Sequence, residues 1–499
     1  MFLFLKKRPD GAHLFFGALV KSGAAACAIF LLPFFLNSQT NPGPAVEKHL
    51  ETWQDWKFGL LMHWGPYAEW GVVESWSLCP EDEGWCERRW HPGMAKPANP
   101  GEMPDYFEYK KAYERLPAQF NPVHFDPEKW AEAAQKAGMK YVVFTTKHHD
   151  GFCMFDTKQT DYKVTGDICA FSKNPKANIA KEIFTAFRAK NMGIGAYFSK
   201  PDWHSPDFWT PQWPPMTRNV NYDLKKFPEK WKRFQDFTFN QVQELVTDYG
   251  PLDILWFDGG WVRPDSCIDR KKSWEADIPF GQDVDMPGIA AMARQKTPDI
   301  IIVNRDVPGP YQDYLTPEQQ VPEKPLPYRW ETCMTMGGSW SYAPGDQYKS
   351  TNQLVHLLVD IVAKGGNLLL NIGPSPEGEL PPSSLARLAD LGDWMSINSA
   401  AIYSTRPVEP YKSGKVCFTK NRFDGRVFAT YLADAEEKMP AEMRFPFPKN
   451  MGNSLKISLL GSHGVLKWAR DGNDLVVKLP DAVRQSPPCH DGWVLEIKP

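Results

Sequence analysis

In PLDILWFDGGW (Pro251–Trp261), Asp258 ends an apolar run with bulky aromatics on both sides and two glycines behind it. A carboxylate carried out of a hydrophobic strand, on a backbone free to turn at once, can face a cavity. The same residue type also suits a helix N-cap, but other apolar runs end in comparable groups. KHHDGF sets His148 and His149 behind YVVFTT, and HWG sets His63 and Trp64 behind FGLLM. Adjacent strand residues point to opposite sides, so one His of a pair faces the pocket and the other backs it. Three His without metal-ligand spacing suit hydrogen bonds to vicinal hydroxyls. YRWETCM then offers Glu331 behind Trp330, a second carboxylate that would complete an acid and nucleophile pair.

These residues need a scaffold that gathers strand ends. FGLLMHWG, YVVFTTKHHDG, GIGAYFSKPDW, DILWFDGG and IIIVNRD are short apolar runs closing on His, Asp, Trp or Arg, and YRWETCM and NLLLNIGP continue the series. Between them DPEKWAEAAQKAG, NIAKEIFTAFRAKNMG and EKWKRFQDFTFNQVQELVTDYG have helical texture. Alternating strands and helices imply parallel pairing through right-handed crossovers. The fold class expected is α/β, a (β/α)8-like TIM barrel whose site lies at the carboxyl ends of its strands. From about Thr405 the texture turns to short alternating stretches (GKVCFTK, GRVFATYL, LKISLLG, NDLVVKL, GWVLEIK), the signature of a carboxyl-terminal antiparallel β-sandwich. The organisation expected is a leader over 1–40, a barrel over 41–403 and a sandwich over 404–499.

With 57 Lys and Arg against 60 Asp and Glu, the chain of 499 residues carries almost no net charge, which argues against nucleic acid as a partner. Twenty Trp residues lean toward carbohydrate, since the apolar face of a sugar stacks on indole; core packing is the plainer use of any one of them. Lys6, Lys7 and Arg8 precede an apolar region, and the uncharged run from Ser22 to Leu36 has the length of a signal-peptide core, so an exported protein is expected, periplasmic, lysosomal or extracellular by host. If the leader stays uncleaved it is the one route to a membrane. Nine Cys is sparse, and Cys79 with Cys86 is the close pair that suggests a bridge. Neither zinc spacing nor a phosphate-binding loop occurs, so no cofactor is expected.

Taken together, KFGLLMHWG, MKYVVFTTKHHDGF, GAYFSKPDW, LDILWFDGG, VNRD, WETCMTMGGSWSY and GGNLLLNIGP resemble, in order and spacing, the alpha-L-fucosidases of glycoside hydrolase family 29. The resemblance runs from about Trp53 to Tyr403 and implies hydrolysis of terminal alpha-L-fucosyl linkages with retention, on fucosylated oligosaccharides or glycoconjugates. It also implies that Asp258 is the nucleophile, that Trp256 and Trp261 wall the pocket, that His63, His148, His149 and Tyr197 bind sugar hydroxyls, and that Arg305 sits near them. Trp64 and Trp203 belong to the same motifs and are counted with the substrate-binding set. Where relatives carry Glu-Trp this chain reads VVESWS, making Glu74 and Trp76 the nearest counterparts. The acid/base varies in position within the family; Glu331 is the first choice, followed by Glu318, Glu323 and Glu275.

Two other readings share these residues: a retaining hydrolase of another neutral or deoxy sugar such as a galactoside, and an inactive carbohydrate-binding relative. Asp258, both His of KHHDGF and a candidate acid argue against loss of activity. The leader yields a direct expectation. Amino-terminal sequencing of protein from its native host should find a start shortly after Leu36, and an intact Met1 in a cytosolic fraction would contradict it.

Overall fold

The computed structural model describes residues 43–80, 86, 88–94, 99, 103–448, 452 and 454–498; the expected leader lies outside them. Seven parallel strands form the central sheet: β1 (Phe58–Met62), β2 (Tyr141–Lys147), β3 (Gly193–Ser199), β4 (Ile254–Asp258), β5 (Ile301–Asn304), β6 (Glu331–Thr335) and β7 (Asn367–Ile372). Their spatial order is β5-β4-β3-β2-β1-β7-β6. Being covered on both faces, they read in the sequence as continuous apolar runs and not as alternating ones. Helices at 127–136, 179–189, 228–248, 286–296 and 351–363 make the crossovers. Each lays an apolar stripe on the sheet, as Ile179, Ile183, Phe184 and Phe187 do in the second.

An irregular segment takes the eighth position. Between β5 and β6 the chain from Tyr311 to Gln319 runs alongside both strands, bonded to β5 through Asn304 N–H to Tyr311 O (2.7 Å) and Asp313 N–H to Ile302 O (2.9 Å). On its other side Glu331 N–H donates to Leu315 O (2.8 Å) and Gln319 N–H to Cys333 O (3.0 Å), with parallel bridges pairing Leu315 with Trp330 and Glu318 with Cys333. The result is a TIM-like barrel of seven strands and one irregular stave, the latter drawn from what reads in the sequence as a long proline-rich loop.

A helix closes the amino-terminal end of the barrel. Helix α1 (Pro44–Trp56) inserts Val46, Leu50 and Trp53 among interior residues that include Tyr141, Ile254, Trp256, Ile301 and Tyr314. Trp53 stacks on Tyr314 with ring centres 4.1 Å apart. The outer face of α1 carries Glu47, Glu51 and Asp55, which bind Arg329 before β6 together with Arg406 and Arg422 of the carboxyl-terminal region.

That region holds two antiparallel sheets over a shared apolar core. Strands β8 (Thr405–Ser413), β9 (Val416–Asn421), β10 (Val427–Tyr431), β12 (Lys456–Leu459) and β15 (Trp493–Lys498) form one; β11 (Glu442–Pro446), β13 (Trp468–Asp471) and β14 (Asp474–Lys478) form the other. Cys79 and Cys86 are separate buried thiols, not the bridge their spacing suggests; the Cys86 thiol is used on the Trp76 carbonyl (3.3 Å). Among the described residues no helix is long and apolar enough to cross a membrane.

Trp53 has no exposed surface, so truncating it opens a cavity beneath the barrel core. Trp53→Ala is expected to cost about 3–5 kcal/mol in denaturant unfolding. A loss under about 1 kcal/mol would mean that α1 is dispensable to the core.

Candidate active site

Asp258 is the last residue of β4, and its carboxylate lies in the barrel mouth. Behind it the backbone turns through Gly259 at φ +84°, where a Cβ would stand 2.3 Å from Pro201 Cδ, so glycine is required there. The Tyr197 hydroxyl donates to Asp258 Oδ2 (2.7 Å) and the Arg305 guanidinium to Oδ1 (3.1 Å), while His149 Nε2 stands 3.9 Å away. Burial works against charge on Asp258. It is the largest single influence, but Arg305, His149, the Tyr197 hydroxyl and the Gly259 amide together outweigh it, so the carboxyl is held well below the usual carboxylate range. It is an ionised group with an unshared face, as a nucleophile requires.

Three imidazoles line the pocket. His63 Nδ1–H donates to Asn371 Oδ1 (2.8 Å), which leaves Nε2 a lone pair. His148 pairs with Ser75 Oγ and His149 with Ser199 Oγ (2.8 Å), again through Nδ1. Burial lowers all three, His63 to about 4, His149 to about 3 and His148 well below its ordinary value. They are neutral and fixed in orientation, which suits hydroxyls better than anions. His148, His149 and Asp258 present ligand atoms within 4.8 Å of one another, a spacing that would admit a metal ion. Arg305 already holds the counter-charge position on that carboxylate.

Rings enclose the rest. Trp256 forms the floor, with Tyr197 stacked on it at 5.4 Å and the Arg305 guanidinium 5.5 Å from its centre. Trp76 and Trp261 stand 5.2 and 5.1 Å from His149. Trp203 also stands 5.2 Å from His149, packed on Trp76 and stacked on Trp209 at 5.0 Å. Trp64 is outside the pocket altogether: its ring packs on Phe120, Phe125 and Trp130 and its indole N–H donates to Ser375 O (2.9 Å), because Trp64 faces away from the side His63 occupies.

The second carboxylate differs from the first expectation. Glu331 is the opening residue of β6 and not its end, and it lies without exposed surface in the barrel interior. There it accepts hydrogen bonds from Tyr141, Tyr314 (3.1 Å) and the Trp256 indole N–H (3.3 Å). Trp256 therefore stands between it and the mouth that holds Asp258. Glu275 is likewise consumed by a buried ion pair with Arg263 (2.9 Å) and a second with the half-exposed Lys272 (3.0 Å), and Glu323 is a surface residue. Glu318 is different. It tops the irregular stave and binds the same guanidinium that holds Asp258.

Glu74 also reaches this space. Its carboxyl is buried, has one oxygen without a partner among the described residues, and is pushed well above the usual range by burial, with the Glu318, Asp258 and Asp150 charges adding. The Trp261 indole N–H and Arg305 Nε are buried and unsatisfied too, so the mouth offers both donors and acceptors to a polar guest. Residues the sequence did not single out are Ser75, Ser199, Asn371 and Trp340, the last 5.2 Å from His63. For Asn371 a signal existed in NLLLNIGP, a polar side chain interrupting a buried strand.

Neutral imidazoles that read hydroxyls, beside indoles that accept the apolar face of a ring and a carboxylate kept ionised, support cleavage of a glycosidic bond. At the carboxyl end of a TIM-like barrel this chemistry defines a glycoside hydrolase. Comparison identifies which one. The sequence profile of alpha-L-fucosidases matches residues 37–400, and that of the alpha-L-fucosidase C-terminal domain matches 410–498. Tissue alpha-L-fucosidase of Rattus norvegicus is 28% identical over 97% of this chain and 96% of its own. Among solved structures, alpha-L-fucosidase isoenzyme 1 of Paenibacillus thiaminolyticus superposes with a TM-score of 0.69 at 28% identity, covering 91% of this chain and 99% of that one. The alpha-fucosidase of Thermotoga maritima in complex with fucose does so at 0.66 and 26%, covering 91% and 98%. The chain belongs to the alpha-L-fucosidase family, and a fucosylated glycan is its substrate.

The imidazoles generate a pH prediction. Their folded values lie below the ordinary 6.5, so the native protein resists protonation while the unfolded chain accepts it. Neutral His63 and His149, and sugar binding with them, should survive acidification through 6.5 and fail only near 4 and below. Stability contributed by these groups falls over the same descent. kcat/KM for an activated aryl fucoside should therefore show no inflection of His63 or His149 between about pH 5.5 and 7. An inflection there that vanishes in His149→Phe would contradict it.

Proposed function

We propose that this fucosidase acts with retention, by double displacement, with Asp258 as nucleophile and Glu318 as acid and then base. The observation that carries the reading is the single Arg305 guanidinium bound to both carboxylates at the mouth. Two carboxyls bracketed by one planar group lie about a guanidinium's width apart, which suits the roughly 5–5.5 Å of retaining enzymes better than the wider gap that admits a water.

In the first step an Asp258 oxygen bonds to the anomeric carbon as the glycosidic C–O bond breaks, and Glu318 gives its proton to the departing oxygen. A fucosyl ester on Asp258 results. In the second step Glu318, now a carboxylate, takes a proton from water as that oxygen bonds to the anomeric carbon, and Asp258 leaves as carboxylate. Both residues end as they began. Arg305 favours this cycle by stabilising negative charge on whichever carboxylate bears it.

Recognition follows from the same geometry. The His63 lone pair accepts from a sugar hydroxyl, Glu74, kept protonated by its surroundings, donates to another, and the Trp256 face receives the methyl group. The relative from Thermotoga maritima, solved in complex with fucose, supports fucose as the sugar recognised. The basic then apolar leader supports action after export.

Asp258→Gly should lower turnover of an aryl fucoside by at least about three orders of magnitude without unfolding the protein. Glu318→Ala should impair a fucosylated oligosaccharide far more than an activated aryl fucoside, and azide should rescue the latter, because only a poor leaving group needs the proton. Glu331→Gln should stay within about tenfold of the parent on both substrates and show no azide rescue. Proton NMR should find alpha-fucose formed first. The reverse pattern between Glu318 and Glu331 would return the acid role to Glu331, and first-formed beta-fucose would exclude retention.

A further inference from the structure

The motif GAYFSKPDW contributes Tyr197 and Ser199 to the site, but Lys200 takes no part in the chemistry above. It immediately follows β3 and has no exposed surface. Its backbone N–H donates to the carbonyl oxygen of Asp258 (3.0 Å), and its side-chain amine crosses behind β4 to donate to Asn304 Oδ1 (2.7 Å). Asn304 is the last residue of β5 and the one before Arg305. Its own N–H is fixed on Tyr311 O (2.7 Å), and Arg305 N–H on Phe257 O (3.1 Å). One residue thus ties the strand end bearing the nucleophile, through its backbone N–H, to the residue preceding the guanidinium, through its side chain, across three strand ends.

We infer that Lys200 is a positioning residue for the fucosidase reaction, whose bridge to Asn304 holds Arg305 in register with Asp258 and, through Arg305, with Glu318. The inference rests on the assignment of Asp258 and Arg305 made above. An amine kept at this depth is poor packing material. Burial, then the Arg263 cation, pull Lys200 down to about 7 against the partial support of Asp258, Asp306 and Cys267. A thioether or amide of similar length would fill the space without that cost, so the amine is retained for what it holds. Misplacing a catalytic group by a fraction of its hydrogen-bond length is costly in rate, whereas fucose contacts to His63, His148 and Trp256 stay in place.

The experiment measures kcat and KM for an activated aryl fucoside in Lys200→Met, Asn304→Leu and the double variant, each confirmed folded by circular dichroism at the assay temperature. Each single change should lower kcat about tenfold to hundredfold with KM within about twofold. The double variant should be no slower than the worse single one, since both remove the same bridge. Lys200→Gln, which keeps a donor, should recover part of the loss, and Asn304→Leu carries the test if Lys200→Met does not fold. A kcat within about twofold of the parent in Asn304→Leu, or in Lys200→Met where it folds, or losses that multiply in the double variant, would overturn the inference. Asp258→Gly is assayed alongside: if it retains turnover, the assignment of the site has failed and not the bridge.

Discussion

The arrangement turns on one cation. Arg305 binds Asp258 and Glu318 together and lies over the indole of Trp256, so one cation faces both carboxyls at the mouth. Remove that charge in thought and Asp258 loses the largest of the influences that favour its ionisation. Losing that partner is expensive because the charge on Asp258 would be stranded where water reaches poorly. The strand ends, the turn at Gly259 and the neutral imidazoles are organised about that guanidinium.

Below it the barrel interior is layered. Trp256 separates a charged mouth from a floor of Tyr141, Tyr314 and Glu331, and α1 seals the floor with Trp53. Burial lifts Glu331 to about 7, and its three donors pull the other way. A folded value above the unfolded one means that the stability this group contributes is complete in acid and is lost as the pH rises through about 7. The lower carboxyl therefore titrates as part of the scaffold, insulated from the chemistry by an indole.

Much of this was legible from residue order alone. The strands from β1 to β5 announce themselves as apolar runs, and Asp258 could be placed because the run ends on it and glycines follow. The run around Glu331 is just as clear, but its polarity is not: WETCM looks like a strand closing on an acid, and the chain instead enters the strand there and leaves it at Thr335. For Trp64 the residue type suggested a sugar platform, while the side of the strand it occupies is decided by pairing that no single segment contains. Glu318 was hardest, because its stave has no periodicity; it is held by scattered bridges to β5 and β6, and those depend on the whole barrel having closed.

That irregular stave gives the two carboxylates different freedoms to change. Asp258 sits in a ladder in which a one-residue shift would turn every side chain of β4 to the opposite face, so insertions near it are forbidden by geometry. Glu318 hangs on a segment whose slack on either side can absorb added or deleted residues while its tip still reaches the mouth. A lineage can therefore renumber its counterpart of Glu318, or reshape the room beside it, without disturbing Asp258.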